Sequence, residues 1–405
     1  MVTFERSKEV FKNEQVLQEE YTPDELIERE EEREDYIEAL QPVANAASPR
    51  NIFVYGDTGV GKTVATRMIL NELSQDMEQF DDVDVEVVWA NCKELTSYQT
   101  AVKLVNSFRE RSQKISMSGH SNAAVYDMLW EEIDALDATH LYIVLDEVDS
   151  LGTDDDLLYK LPRARSNQDI NNTYLGLIGI SNNFKFRDNL SARVKSTLCE
   201  HEIRFGPYDA GELQTILEQR AEKAFVEGML ISGVIPLVAA SAAQNTGSAR
   251  RALDILYNAG SLTRKKDADA VTEDHVREAI SLVEKGVIED ELRDLPTQSH
   301  LVLYAVALLA EQGELPARRK RIYEVYETIA TRLDTTVKAK RTVLNRLSQL
   351  SLKGFLHVDE VNKGRSGGKH YQYELDIKQD LLLNILSENT RLEELMVDQN
   401  LDQFS

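Results

Sequence analysis

The order of apolar and polar positions divides residues 21–205 into short apolar runs separated by longer segments with helical periodicity. The apolar runs predict five strands, at 52–55, 83–90, 141–145, 174–180 and 202–205. Short apolar strands that alternate with helices are typical of a parallel sheet covered by helices on both faces. We therefore predict an α/β domain over residues 21–205.

An acidic segment from Tyr21 to Ala47 predicts the helix that opens this domain. Thr22 is suited to the N-cap and Pro23 to the first helical position, so both favour a helix that begins here. The preceding residues, 1–20, are polar, and we expect them to form a flexible N-terminal tail.

The pattern changes after Phe205, and residues 206–290 indicate helices only, which predicts a small helical lid domain. A third domain is predicted over residues 296–390, followed by a C-terminal tail over 391–405. Its predicted elements are helices at 298–311, 321–333 and 337–352 and hairpin strands at 356–361 and 370–375. Three helices followed by a β-hairpin are typical of a winged helix.

Composition and net charge narrow the class of protein. Apolar residues make up 42% of the 405-residue chain, and their strong periodic pattern argues against a disordered protein despite the net charge of −24. An acidic interaction surface or adaptation to a salt-rich cytoplasm would explain that charge, and we favour the second because surface carboxylates maintain solubility. The sequence has no signal-peptide pattern and no apolar run of membrane-spanning length, and Cys92 and Cys199 have no motif around them. We therefore expect a cytoplasmic protein with reduced thiols.

The charge is not uniform, because residues 316–369 form a basic island. This segment carries 13 Lys or Arg and 5 Asp or Glu, a net charge of +8 within the chain's −24. A basic island in an acidic protein indicates a polyanionic partner. The alternative is a solvated helix surface that happens to be basic.

The clearest motif is Gly56-Asp57-Thr58-Gly59-Val60-Gly61-Lys62-Thr63, which follows a predicted strand and precedes a helical run. This order defines a phosphate-binding loop, whose backbone N–H groups and following helix N-terminus converge on an anion. Lys62 is expected to reach the β- and γ-phosphates, and the Thr63 hydroxyl to hold Mg²⁺. A chance glycine-rich turn is the alternative, which the strand–loop–helix order disfavours. The predicted nucleotide contacts of this loop are Gly59, Val60, Gly61, Lys62, Thr63 and Val64.

Polar side chains follow the predicted strands and the lid. Asp146 and Glu147 end a buried strand, where Asp146 would hold Mg²⁺ and Glu147 would polarise the attacking water. Asn182 ends the next strand and would orient that water, unless it is a turn former. Arg193 would reach a neighbouring subunit's γ-phosphate, unless it is simply solvated. Arg250 lies in the first turn of a predicted helix, where a cation is unfavourable unless a phosphate compensates it.

Together these features resemble the AAA+ ATPases and, within them, the archaeal origin-recognition initiators, which are related to the eukaryotic origin recognition complex. The resemblance rests on the loop at 56–63, the strand ending in Asp146-Glu147, and the stretches at 180–183, 190–196, 205–208 and 247–254. It implies an AAA+ P-loop sheet with a helical lid, followed by a winged helix, and it implies ATP or ADP with Mg²⁺ as cofactors.

The resemblance also implies roles for individual residues. Asn182 matches the sensor 1 residue of the family, Arg193 its arginine finger and Arg250 its sensor 2 arginine. Tyr208, which taken alone indicates a packing aromatic at a domain joint, and Arg220 match lid positions that touch nucleotide.

DNA contacts are implied in the same way. The helix around 338–346 would face the major groove and the wing would approach the backbone or the minor groove. The implied DNA-binding residues are Lys338, Lys340, Arg341, Arg346, Lys363, Arg365 and Lys369. The stretch at 117–126 resembles a helical insertion with which the family contacts DNA.

Two departures from the family pattern predict a divergent paralogue. Ile27-Glu28 stands where the family usually has Pro-His, and Asp57 stands where its phosphate loop usually has Lys. The expected function is an ATP-dependent replication initiator, a slow ATPase used as a switch, with origin DNA, neighbouring initiator subunits and the replicative helicase as partners. The alternatives are a STAND-type signalling ATPase and a plasmid- or virus-borne DNA-binding regulator. The basic island favours DNA binding, and the lid motif at 247–250 favours the initiator over the signalling ATPase.

Overall fold

The computed structural model describes residues 9–19, 21–362 and 369–388. It divides into two compact units, Met1–Ile280 and Ser281–Ser405. Within the described residues, no helix combines the length and the apolar character needed to cross a membrane.

A five-stranded sheet organises the first unit. Its strands are β1 (Ile52–Gly56), β2 (Val85–Asn91), β3 (His140–Asp146), β4 (Tyr174–Ser181) and β5 (His201–Phe205). All paired strands are parallel, in the order β2-β3-β4-β1-β5. The five predicted strands are therefore confirmed, with small shifts at their ends. Since the carboxyl ends of parallel strands lie at one edge, polar residues that follow β1, β3 and β4 are brought together there.

Helices cover both faces of this sheet and extend into the lid. The helices of the first unit are α1 (Glu30–Ala44), α2 (Lys62–Met77), α3 (Ser97–Phe108), α4 (Asn122–Asp134), α5 (Asp156–Lys160), α6 (Phe186–Asn189), α7 (Ala192–Leu198), α8 (Ala210–Ala224), α9 (Val234–Asn245) and α10 (Ala249–Lys265). Strand β3 shows why its sequence is a continuous apolar run: Ile143 packs into one core, and Tyr142 and Val144 into the core on the opposite face. A strand buried on both faces needs no polar alternation.

The start of the first helix differs from the prediction. Residues 21–29 are not helical and α1 begins at Glu30, so the N-cap at Thr22 and the helical position of Pro23 were wrong. Leu26 packs against the sheet core, and the Arg29 guanidinium donates to the carbonyl oxygens of Gly206 and Val60. These tertiary contacts hold the segment in a non-helical conformation and outweigh its local capping signal.

Residues 9–19, which we expected in a flexible tail, pack on the lid. Val10, Val16 and Leu17 are buried, and a short 3-10 helix spans Glu14–Leu17. The Phe11 ring lies 4.8 Å from the Phe225 ring, centroid to centroid. The apolar side chains of this polar stretch lie on one side and bury against the lid helices.

The second unit has the predicted winged-helix order. Its elements are α11 (Glu273–Arg293, which begins in the first unit), α12 (Thr297–Glu311), β6 (Ala317–Arg318), α13 (Arg319–Arg332), α14 (Lys340–Leu352), β7 (Leu356–Asn362), β8 (Lys369–Leu375) and α15 (Gln379–Ser387). The antiparallel sheet has the order β6-β8-β7. The almost wholly buried α12 forms the centre of the core. Strand β6 and helix α15 were not predicted.

Candidate functional site

A cavity of about 520 Å³ in the first unit lies where the sheet, the lid and residues 17–19 and 21–27 meet. Its volume is in the range of small-molecule sites. Most of the predicted nucleotide and catalytic residues line it: Gly59, Gly61, Lys62, Thr63, Val64, Asp146, Glu147, Asn182, Tyr208, Arg220 and Arg250. The structure thus brings together residues that are up to about 190 positions apart in the chain.

The phosphate loop is held in a conformation that requires glycine. Gly59 has φ of +80°, and a Cβ atom added there would lie 2.1 Å from the Ser248 Oγ of the lid. The backbone N–H of Ala249 donates to the Gly59 carbonyl oxygen at 3.0 Å. The start of α10 therefore packs directly on the loop, which places Arg250 beside it. Val60 is buried and does not line the cavity with its side chain.

Lys62 lies under the loop with its ammonium group fully engaged. Its Nζ donates to the carbonyl oxygens of Gly56 at 2.9 Å and Asp57 at 2.7 Å, and to Asn182 Oδ1 at 2.8 Å. Burial lowers the pKa of Lys62 to about 8. A cation with three acceptors at the base of a cavity can exchange them for the stronger acceptors of a phosphate.

Thr63 and Asp146 form the candidate metal site. Thr63 Oγ1 donates to Asp146 Oδ2 at 3.0 Å, and the Glu147 backbone N–H donates to Asp146 Oδ1 at 2.9 Å. Burial raises the pKa of the Asp146 carboxyl, while these two hydrogen bonds act in the opposite direction. A hydroxyl and a carboxylate at this spacing are the oxygen ligands that Mg²⁺ prefers.

Glu147 and Asn182 are held by neighbours that sequence reasoning missed. The Asn91 amide donates to Glu147 Oε1 at 3.4 Å, and Asp149 Oδ1 accepts from the Asn182 backbone N–H at 3.1 Å. The register that pairs Asn91 with Asp146 brings the ends of β2 and β3 side by side. The polar end of β2 was the available signal, but its pairing with β3 was not readable from the sequence.

Two aromatic–arginine pairs lie on the lid side of the cavity. The Arg29 guanidinium lies 3.6 Å from the Tyr208 ring centroid. Arg220 donates to the Val16 carbonyl oxygen at 3.2 Å and lies 4.4 Å from the Tyr21 ring centroid. Both arginines are buried. Tyr208 is therefore a packing aromatic at a domain joint and also a wall of the cavity.

Arg193 is not brought to this cavity. It lies exposed on α7, with its guanidinium 4.4 Å from the Tyr159 ring centroid. Arg163 donates to the Arg193 carbonyl oxygen at 2.8 Å, which fixes the backbone of that helix. Within this chain Arg193 therefore lies outside the set that lines the cavity.

The second unit carries a separate cationic surface. A cavity of about 290 Å³ lies between α13 and α14, with an apolar floor that includes Val343 and Leu347. The cations around it are Arg319, Lys320, Lys340 and Arg341. Of these, Lys340 and Arg341 had been predicted as DNA-binding residues, whereas Arg319 and Lys320 were part of the basic island but had not been singled out.

The other residues predicted to contact DNA lie before or on α14, in residues 117–126, or outside the described part of the chain. Lys338 precedes α14, where its backbone N–H donates to the Tyr326 hydroxyl at 3.0 Å, and Arg346 donates to Gln349 Oε1 at 2.9 Å. Lys363, Arg365 and the side chain of Lys369 lie outside the described residues. In the first unit, residues 117–121 are not helical, and α4 begins at Asn122 after the N-cap Ser121.

The parallel sheet, its phosphate loop, the lid and the winged helix define an AAA+ ATPase-type protein with a C-terminal winged-helix domain. Three family models match the chain: "AAA domain" over residues 46–183, "Cdc6 AAA+ ATPase-type lid domain" over 214–281 and "CDC6, C terminal winged helix domain" over 290–385. The chain belongs to the family of ORC1-type DNA replication proteins.

Relatives and a solved structure cover nearly the whole chain. ORC1-type DNA replication protein 1 of Haloarcula marismortui is 50% identical, covering 97% of this chain and 96% of that protein. The ORC1-type DNA replication protein of Thermococcus kodakarensis is 38% identical, covering 96% and 94%. The structure of the Aeropyrum pernix ORC1 protein in complex with DNA matches with a TM-score of 0.83 and 34% identity, covering 96% and 100%. The family resemblance inferred from the motifs is confirmed.

Proposed function

We infer that this protein is an ATP-dependent DNA replication initiator that binds origin DNA and helps to recruit the replicative helicase. The observation that carries this inference is one cavity that joins the phosphate loop, Asp146, Glu147, Asn182 and Arg250, in a chain that also carries a cationic winged helix. Haloarchaeal relatives described as replication proteins support the biological role, and the DNA complex of the Aeropyrum pernix protein supports DNA as the partner.

The cavity fits a nucleoside triphosphate with Mg²⁺. Lys62 and the loop amides would hold the phosphates, and Thr63 with Asp146 would hold the metal ion. When bound, Mg²⁺ neutralises charge on the phosphate oxygens. Glu147 would accept a proton from water, and Asn182 would orient that water. Hydrolysis at this site would serve as a slow switch between two states of the protein.

Arg193 would act on a neighbour and not on its own nucleotide. Its exposure on α7, outside the cavity, supports a role at a subunit interface. A guanidinium from a second copy would stabilise the charge on a transferring phosphoryl group.

Duplex DNA would lie against α14 and the wing. Lys338, Lys340, Arg341 and Arg346 lie on or just before this helix, and the wing would add Lys363, Arg365 and Lys369. Helix α13 contributes Arg319 and Lys320 beside Lys340. Cations on two adjoining helices are suited to consecutive backbone phosphates, which fix the register of a protein on DNA.

The test is retention of genomic DNA fragments by the purified full-length protein with ATP and Mg²⁺ in about molar KCl, a salt level at which non-specific phosphate contacts are weak. The test variant is Lys340→Ala/Arg341→Ala. The matched control is Lys285→Ala/Lys378→Ala, which removes two exposed charges from the same unit. We expect the protein and the control to retain a few discrete fragments, and the test variant to lose them.

Other outcomes would change the assignment. No retention by a folded protein that binds ATP would favour the signalling ATPase. Retention of all fragments alike would leave a DNA-binding ATPase without origin recognition. Retention that the test variant keeps in full would contradict the placement of DNA against α14.

A further inference from the structure

The segment formed by residues 9–19, here called the N-terminal strap, lies on the lid and ends in the nucleotide cavity. The backbone N–H groups of Lys12 and Asn13 donate to the Ala224 carbonyl oxygen at 2.9 and 3.1 Å. Arg220 holds the Val16 carbonyl oxygen. Leu17 is buried and lines the cavity. Glu19 also lines the cavity. The strap thus delivers a carboxylate into a site whose expected ligand is an anion.

Glu19 contacts the lid arginine at the rim of the cavity, where the two side chains are 65% and 43% exposed. Glu19 Oε1 lies 2.5 Å from Arg250 Nη2. Arg250 is in the first turn of α10, where the helix dipole disfavours a cation unless an anion is close. Its field also reaches Lys62 at the base of the phosphate loop, whose pKa it helps to lower. An anionic partner therefore stabilises Arg250 at this position, and the Glu19 carboxylate is that partner.

A carboxylate and a phosphate present the same pair of acceptor oxygens to a guanidinium. A nucleotide phosphate near Lys62 and Arg250 would therefore compete with Glu19 for the same N–H donors. Asp254, one turn further along α10, also lines the cavity and interacts electrostatically with both Arg250 and Glu19. Because Asp254 is fixed on the same helix, Glu19 is the partner that a phosphate can displace.

We propose that Glu19 sets the affinity for the nucleoside triphosphate by holding Arg250 in place of a phosphate and competing with ATP for it. This rests on the proposed function, which makes the cavity an ATP site. Binding of ATP transfers Arg250 from Glu19 to phosphate and releases the end of the strap. Glu19 therefore weakens ATP binding, and removing its charge strengthens it.

A purely structural role for the pair predicts the opposite sign, because loosening the strap would weaken the site. The strap offers a matched control, since Glu14 Oε2 pairs with Arg264 Nη1 at 3.2 Å and neither residue lines the cavity. Burial of Val10, Val16 and Leu17 anchors the strap independently of either ion pair.

The experiment measures ATP affinity by calorimetry on the full-length protein. The variants are Glu19→Gln, Glu14→Gln, Arg250→Gln and the Glu19→Gln/Arg250→Gln double variant. Since partly exposed ion pairs contribute little, we expect Glu19→Gln to tighten ATP binding by about twofold to fivefold. We expect Glu14→Gln to leave the affinity unchanged and Arg250→Gln to weaken it. The gain from Glu19→Gln should shrink as KCl rises from about 0.2 M to 1 M, where screening is stronger.

The double variant separates competition from a general charge effect. In the Arg250→Gln background, Glu19→Gln should leave the ATP affinity unchanged, because the guanidinium for which Glu19 and ATP compete is absent. Weaker or unchanged ATP binding by Glu19→Gln, or an equal gain in both backgrounds, would overturn the proposal. Failure of the unaltered protein to bind ATP, with Lys62→Ala giving the same trace, would instead overturn the proposed function.

Discussion

Arg29 offers the sharpest test of how the phosphate loop and the lid joint are held together. Its guanidinium, 5% exposed, donates to Gly206 O at 2.7 Å, Val60 O at 3.2 Å and Glu32 Oε1 at 3.0 Å. The Glu32 side chain is 12% exposed. Replacing Arg29 with Ala leaves that carboxylate and two carbonyl groups without their donor. Breaking a buried pair on one side typically costs about 3–5 kcal/mol, which is the loss we expect.

Arg33 is the matched control. It lies one turn further along α1 and pairs with Glu72 at 2.9 Å, but the two side chains are 46% and 47% exposed. Surface pairs contribute about 0–1 kcal/mol, so Arg33→Ala should be close to neutral. Arg29→Lys should fall between the two, because an ammonium group can satisfy one carbonyl group but not the planar, stacked arrangement.

Urea unfolding in molar KCl, followed by tryptophan fluorescence, measures these differences. Both tryptophans of the chain, Trp89 and Trp130, lie in the first unit, so the signal reports on the unit that contains Arg29. A loss for Arg29→Ala of less than about 1 kcal/mol, or one equal to that of Arg33→Ala, would refute the reasoning.

The pH dependence of the unfolding free energy provides a second test with the same variant. Burial raises the pKa of Glu32 above its ordinary value, and Arg29 opposes that rise. Without Arg29 the native pKa should rise further. A carboxyl with a raised native pKa binds more protons when folded, so stability falls as the pH increases through that pKa. The deficit of Arg29→Ala should therefore be largest near pH 7 and should shrink as the pH falls towards 5.

Three further predictions concern the phosphate loop and the net charge of the chain. Because the pKa of Lys62 is lowered to about 8, ATP affinity should fall as the pH rises through that value. Titration calorimetry from pH 7 to 9 would check this, and an affinity that does not change over that range would contradict it. Gly59→Ala would place its Cβ atom 2.1 Å from Ser248 Oγ at a φ of +80°, so it should weaken ATP binding at least tenfold in the same assay. Gly206→Ala is the control and should not weaken binding, because a Cβ atom there would have no neighbouring atom within 4 Å. The net charge of −24 predicts that dialysis to about 50 mM KCl loosens the fold, and full retention of its circular dichroism melt there would remove the salt-adaptation hypothesis.

Residues 9–19 and 21–29 differ from their predicted conformations for the same physical reason. The Thr22-Pro23 pair carries a genuine helix-start signal, but Leu26 and Arg29 bind the sheet core and the joint, and this holds residues 21–29 out of a helix. Residues 9–19 are too polar to indicate order, yet three apolar side chains of the strap bury on the lid. Both segments obtain their conformation from contacts with other elements: Arg29 binds carbonyl groups 31 and 177 positions away, and Val16 is held by Arg220, 204 positions away.

The sequence alone determined the sheet strands, the phosphate loop and the winged-helix order. Each depends on neighbours in the chain: an apolar run, the glycines of a tight loop, or a helical period that ends at a turn. Because parallel strands end at one edge, the sequence also predicted that Lys62, Asp146 and Asn182 would meet.

Only the tertiary structure decided which partners hold these groups. Asn91 on Glu147, Asp149 on Asn182, Arg29 under the lid and Glu19 on Arg250 are contacts between separate elements. No local pattern encodes them, because the side chains involved are ordinary polar residues until the fold sets their distances and removes their water. The sequence therefore determines what kinds of groups the site contains, and the packing of the lid and strap on the sheet determines how they act on one another.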